Sequence, residues 1–398
     1  MTGTSGTTGT SGTATVVEPG DARATADALK AAAANGLAVI PCGGGTKLDW
    51  GNPPRRSDIV LSTVKMNRIV EHAWADLTVT VESGCTIRAL QDALRVHGQR
   101  VAADPLWPDR ATVGGALSTN DTGALRLRFG GWRDLVIGTT IAFSDGTVAS
   151  SGGKVVKNVA GYDLSKLATG AFGTLGVVTQ AIFRLHPLPQ QTRTLSARTA
   201  SAAEMQRLIS ALQDSQLAHT SLQVRAAASI PPVVDVLFEG TPAGLDAQLR
   251  DARAIAGGTS LDEVAPNVWD ARQDLWIDAG PVVKVSTLTS ALATTLDAIG
   301  RLAAAAGVDW AAVFQATGLG CVRFGGNIPD WPALLRDLRA AVARDDGSVV
   351  VQRVQRAVPG ADVDVWGDAG DALPLMRAVK QQFDPTATLN PGRFVGGI

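Results

Sequence analysis

Residues Pro41, Cys42, Gly43, Gly44, Gly45, Thr46 and Lys47 follow a short apolar run, Leu37 to Pro41. Three successive glycines tolerate backbone that other residues avoid, and they let main-chain N–H groups come close to a ligand. Such groups in series make an anion-binding nest; Thr46 adds a hydroxyl and Lys47 a charge. A plain Gly-rich turn between strands is the alternative. The segment is not a P-loop, and G-x-G-x-x-G occurs nowhere, so a Rossmann dinucleotide site lacks its fingerprint. A second segment, Thr112 to Gly123, holds Gly114 and Gly115, which can open a short helix toward a phosphate, with Ser118, Asn120 and Gly123 beyond. A third runs from Gly152 to Leu164 and is followed by Gly170 to Thr179. It contains the sole tyrosine, Tyr162, and its Val177 and Val178 offer backbone edges and apolar side chains to a flat base. Taken singly, the second and third segments also read as capped loops and tight sheet turns.

The residues that could do other chemistry are sparse. The four histidines, His72, His97, His186 and His219, are scattered, and none lies beyond 219. A histidine metal site in the region beyond the boundary at 186–189 is thereby excluded unless carboxylates replace it entirely. Cys42, Cys85 and Cys321 are too few and too far apart for a disulfide framework or a zinc knuckle. That usage suits a reducing cytoplasm. Lys plus Arg total 36 and Asp plus Glu 37, so bulk charge gives no support for nucleic-acid binding. No apolar run approaches the ~20 residues that span a bilayer. The opening Gly/Ser/Thr tract lacks the basic and apolar regions of a signal peptide and reads as a disordered tail over 1–18.

The elements that must position these segments follow from periodicity. At 398 residues with 45% hydrophobic content, the chain suits two or three domains. Asp21 is placed to cap a helix over 21–34, and Ile87, Leu90 and Leu94 share a face of a helix over 86–97. Strands are expected near 37–41, 58–61, 77–81, 135–143 and 175–185, with a hairpin turn at Asp145-Gly146. His186-Pro187-Leu188-Pro189 marks a boundary. Beyond it, helices are expected over 201–213, 242–256, 288–306 and 331–343, with Leu288, Leu292, Leu296, Ile299 and Leu302 on one face of the third. Strands are expected over 233–238, 282–286, 311–314, 321–324 and 348–352. The seven-residue spacing of Trp269 and Trp276 reads as helix core, with Arg272 between them as a carboxylate or partner contact on the other reading.

The three segments, in this order and spacing, resemble the FAD-binding domain of the vanillyl-alcohol-oxidase/p-cresol-methylhydroxylase superfamily. The runs Lys157 to Leu164 and Gly173 to Val177 are similar to those of glycolate oxidase FAD-binding subunits. The ending Phe383-Asp384-Pro385 with Leu389 to Arg393 resembles the superfamily's C-terminal return. The resemblance implies an α+β fold: a two-subdomain PCMH-type FAD-binding domain over 19–189, an α+β cap over 190–365 and a segment over 366–398 that returns to the FAD domain. It implies that Cys42, Gly43, Gly44, Gly45, Thr46 and Lys47 border the diphosphate, and that Gly114, Gly115, Ser118, Asn120 and Gly123 border the ribose and flavin. Val177 and Val178 would border the adenine, and Asn390 and Arg393 the ring system. Cys42 lies in a loop that faces phosphates, so the FAD is expected to be non-covalent.

A 2-hydroxy acid dehydrogenase needs a base for the hydroxyl proton and a cation for the carboxylate. With no histidine beyond position 219, the resemblance implies a flavin-bearing subunit of a glycolate oxidase complex, inactive alone. Its partners would be a second FAD subunit and an iron–sulfur subunit, in the cytoplasm or at the inner face of the membrane. The alternative is a free-standing FAD oxidoreductase of D-lactate type that uses Lys, Arg, Asp or Tyr162. A scaffold that has lost FAD is a third reading, opposed by the cost of keeping so many glycines.

Overall fold

The computed structural model describes residues 14–154, 161–326, 328–354 and 363–398. Residues 155–160 of the third segment therefore lie outside the described residues, as do residues 1–13 of the expected tail.

Helix Ala22–Ala34 starts where Asp21 accepts from Ala24 N at 2.8 Å, and it buries Leu29 and Ala32 against a small parallel sheet. That sheet runs in the order Thr15–Val17, Ile59–Ser62, Val39–Cys42. Its first strand corrects the expected start of order at residue 19. Local composition there favours a free tail, and pairing with Ile59–Leu61 overrides it.

A second sheet is antiparallel, in the order Ile69–Ala73, Thr78–Glu82, Val177–Arg184, Val136–Ala142, Val148–Gly152. Gly146 closes its last hairpin at φ +90°. Helix Ile87–Arg95, capped by Thr86, buries Ile87, Leu90 and Leu94 in the same core as Trp132 and Phe183.

The cap is an eight-stranded antiparallel sheet. Its order is Asp262–Val264, Gln191–Arg198, Ile230–Gly240, His219–Ala227, Trp310–Gln315, Leu319–Phe324, Val282–Ser286, Ser348–Arg353. Helices Ala202–Gln213, Pro242–Ala256, Leu292–Ala306 and Trp331–Ala343 cover one face and share its apolar core. Strand alternation sends the other residues toward the first half of the chain: Val283 and Val285 join the helix-side core, while Lys284 and Ser286 face away from it. Leu288 does not join the expected helix face. It precedes the 3-10 turn Thr289–Ala291 that leads into helix Leu292–Ala306, and it is exposed.

Two contacts tie the halves. Strand His186–Pro187 pairs with Gln99–Arg100, and Arg100 grips Glu239 of the cap through two bonds of 2.8 and 2.5 Å. After helix Leu373–Phe383 the chain rejoins the first sheet: Leu389 bridges Val39, and Asn390 N donates to Val39 O at 2.9 Å. Buried Lys380 pins this return, donating to Thr174 O, Leu389 O and Asp384. Among the described residues no helix is long and apolar enough to cross a membrane.

Candidate functional site

The Gly43–Thr46 loop leaves strand Val39–Cys42 and packs against the turn before helix Val113–Thr119. A Cβ on Gly43 would lie 2.1 Å from Thr112 Oγ1, and one on Gly44 1.7 Å from Arg110 O. Gly45 has φ +68°. Glycine is thus required twice for close approach and once for a left-handed conformation. Among the described residues no acceptor meets the N–H groups of Gly43, Gly44 or Thr46. Bare N–H groups along one loop form the donor set that a diphosphate takes.

The loop is one wall of a trough. Its lining brings together Cys42, Gly43, Gly44, Gly45, Thr46, Lys47, Gly114, Gly115, Ser118, Val177, Val178 and Asn390 from four parts of the chain. Thr112 caps the short helix, with Gly115 N donating to its Oγ1 at 3.3 Å. Gly114 N is already used by Ser83 O at 2.7 Å. The helix end therefore offers less to a phosphate than expected, and Gly114 serves close packing on Ser83. Asn390 sits at φ 44° and donates through Nδ2 to Phe172 O at 2.6 Å, which leaves its buried Oδ1 without a partner. Arg393 lies beneath the loop and donates to Lys47 O, Leu48 O and Trp50 O at 2.8 to 3.2 Å. Burial pushes the Cys42 thiol up, which keeps it protonated and poorly nucleophilic.

Three expected residues depart from this picture. Gly123 does not line the trough: its N–H donates to Asp104 at 2.9 Å, and a Cβ there would strike that carboxylate. Tyr162 is 91% exposed and turns to solvent. Lys47 lines the trough but is held in an ion pair, with Nζ 3.2 Å from Asp121 Oδ2.

At Thr119 and Phe172 the trough meets a second cavity of about 320 Å³, since both residues line both spaces. This chamber lies between the 119–122 segment and the open face of the cap sheet. Asn120, Asp121, Arg272, Lys284, Gln315 and Cys321 supply its polar lining. Asn120 thus borders the chamber rather than the trough, at φ 48° with a buried Oδ1 that has no partner. Asp121 is fully enclosed and takes hydrogen bonds from Arg272 and from Leu106 N. Burial alone would raise its carboxyl; the Arg272 and Lys47 cations outweigh that and hold it at about 2. Burial works against the Arg272 charge too, and Asp121 more than restores it. Arg272 Nη1 and Gln315 Oε1 remain unpartnered. Asp104, behind this network, is pushed by burial up to about 6, despite accepting from Gly123 N and Leu125 N.

The helix-core expectation for Trp269 and Trp276 is corrected here. The segment is a 3-10 turn, Pro266–Asp270, followed by the short helix Ala271–Asp274. Trp276 stacks on Trp50 at 5.9 Å and meets Trp107 edge-on at 5.1 Å, which clamps Arg272 at the junction of cap and first half. None of the four histidines lines either cavity. Among the described residues no cluster of His, Cys, Asp and Glu is suited to a metal ion. Sequence reasoning weighed Arg272 only as a secondary reading and missed Lys284 and Gln315. Each stands alone in its own segment, and only strand alternation hinted that Lys284 faces away from the apolar core.

Residues 13–152 match the FAD-binding domain family. The chain is 38% identical over 159 residues to the glycolate oxidase subunit GlcD of Bacillus subtilis, covering 40% of this chain and 34% of that protein. It is 38% identical over 173 residues to a D-lactate dehydrogenase of Archaeoglobus fulgidus, covering 43% and 38%. Over 338 residues it is 28% identical to the glycolate oxidase subunit GlcE of Escherichia coli, covering 82% and 84%. The chain thus spans little more than a third of the length of the first two relatives and most of the third. Among solved structures, an alkyldihydroxyacetonephosphate synthase superposes with a TM-score of 0.72 at 15% identity, covering 95% of this chain and 77% of the other, a likeness of fold. The trough, the α+β two-domain architecture and the match over residues 13–152 agree: the chain carries an FAD-binding domain in a fold shared with PCMH-type flavoproteins.

Proposed function

We propose that this chain is an FAD-dependent oxidoreductase of 2-hydroxy acids and serves as one subunit of a glycolate-oxidase-type assembly. One observation carries the reading: a trough with a bare N–H loop opens, at Thr119 and Phe172, into a chamber where a buried guanidinium has an unpartnered nitrogen. The Gly43–Thr46 loop holds the diphosphate, Val177 and Val178 flank the adenine, and Ser118, Asn120 and Asn390 serve the ribose and ring. Among the described residues no histidine lines the trough or the chamber, and Cys42 lies in the loop assigned to the diphosphate, which supports non-covalent FAD. When bound, FAD supplies the two-electron acceptor for the hydride on the substrate's C2.

Arg272 fits a substrate carboxylate. Asp121 holds the guanidinium in place and leaves Nη1 for the ligand. The Trp50, Trp107 and Trp276 cluster closes one side against water. The subunit part of the reading rests on the near full-length match to GlcE and on a chain with too few cysteines for its own iron–sulfur cluster. A tag on this chain should co-purify a second flavoprotein and an iron–sulfur protein. Recovery of the chain without either partner would favour the free-standing D-lactate-type enzyme. A colourless protein that takes up no added FAD would defeat both.

A further inference from the structure

The chamber holds a group that the histidine-poor sequence hides. Lys284 stands in strand Val282–Ser286, opposite Cys321 of one neighbouring strand and Val350 of the other. Its side chain lines the chamber and has no hydrogen-bond partner or ion pair among the described residues. The other titratable groups of the lining are engaged. Asp121 is bonded to Arg272 and to Leu106 N and paired with Lys47. Arg272 is bonded to Asp121. The Cys321 thiol lies 3.6 Å from Gln352 Oε1 as its donor. The remaining side chains in reach, such as Ser286, Ser348 and Gln315, are not bases near neutral pH.

We propose that Lys284 is the catalytic base of this chain, accepting the hydroxyl proton of a 2-hydroxy acid whose carboxylate lies on Arg272. This rests on the function proposed above. The step balances: the O–H proton passes to the neutral amine, C2 gives up its hydrogen with two electrons to the acceptor that FAD provides, and C2=O forms to leave the 2-oxo acid. Burial lowers the Lys284 amine, which favours its neutral form. The charged groups facing it are the cations Arg272 and Arg126, which add to that lowering, with Cys321 and Asp121 opposing. The Ser348–Arg353 strand places only Ser348, Val350, Val351 and Gln352 at the chamber, none of them charged.

The test uses the FAD-loaded full chain without air. Bleaching of its flavin by glycolate or D-lactate is followed against pH. The wild type should show a rate that rises with pH to a plateau. Lys284→Met should be slower by about a hundredfold or more, without the rising limb, and added ethylamine should restore part of the rate. Lys284→Arg keeps a cation and should stay slow. Bleaching of Lys284→Met at the wild-type rate with the same limb would overturn the proposal. A second measurement avoids dependence on a folded variant. Acetic anhydride should modify Lys284 of the wild type, and oxalate, a flat dianion with the shape of the deprotonated substrate, should protect it. Modification that saturating oxalate leaves unchanged would also overturn the proposal. If no 2-hydroxy acid bleaches the wild type, the functional reading itself fails and the base falls with it.

Discussion

The Arg272 guanidinium of the cap donates to the Asp121 carboxylate, 151 positions away in the chain, and the bond joins the cap to the FAD-binding half. The other oxygen of Asp121 is 3.2 Å from Lys47, the residue that follows the glycine loop. One buried carboxylate thus ties the glycine loop, the 119–122 segment and the cap together.

Removing that carboxylate should be costly. Asp121→Asn leaves two buried cations without their counter-charge, a change worth about 3–5 kcal/mol. Thermal unfolding should read a clear drop at neutral pH, and cap and FAD half should lose their common transition. An unchanged melting temperature would mean that the network contributes nothing.

The same pair predicts a pH dependence. The folded-state value for Asp121 is depressed to about 2, against ~3.9 in an unfolded chain. Its ionised form therefore stabilises the fold above about pH 4, and this contribution, about 3 kcal/mol, is lost as pH falls toward 2. The stability gap between wild type and Asp121→Asn should be full at pH 6 and close progressively below pH 4. A gap that widens on acidification contradicts the sign.

Gly44→Ala should lower flavin content at least tenfold. The reason differs from a simple block of the diphosphate: the new methyl meets Arg110 O at 1.7 Å, so the loop must move off the 110–112 turn. Gly20→Ala, with nothing within 4 Å, is the matched control and should keep its flavin. Visible absorbance per chain after gel filtration reads both.

Acid precipitation should release all the flavin into the supernatant. Among the described residues Cys42 is the only thiol that lines the trough, and burial keeps it protonated. Yellow colour retained by the washed pellet would show a covalent link. Tyr162→Phe should change neither flavin content nor bleaching rate, since that ring points to solvent.

The glycine segments were legible because a run such as Gly43-Gly44-Gly45 has few uses, and the structure gives each glycine one. The helices were legible where capping and periodicity agreed, as at Asp21 and over Trp331–Ala343. Thr15–Val17 was not, because its pairing energy comes from Ile59–Ser62 and not from its own composition. Strands Gln191–Arg198 and His219–Ala227 escaped notice because each mixes charged residues into its polar face. The chamber was the least legible part. Arg272, Lys284 and Gln315 come from a short helix and two strands, with no motif joining them, and only the cap's docking onto Asp121 places them around one space.

The most direct measurement is the anaerobic reduction of the isolated, FAD-loaded chain by a 2-hydroxy acid, with no partner subunit present. The account predicts that the visible flavin band bleaches in a single phase, with the 2-oxo acid formed in equal amount to the flavin. A flavin that stays oxidised with glycolate and with D-lactate, in a chain that holds FAD at full occupancy, would contradict it.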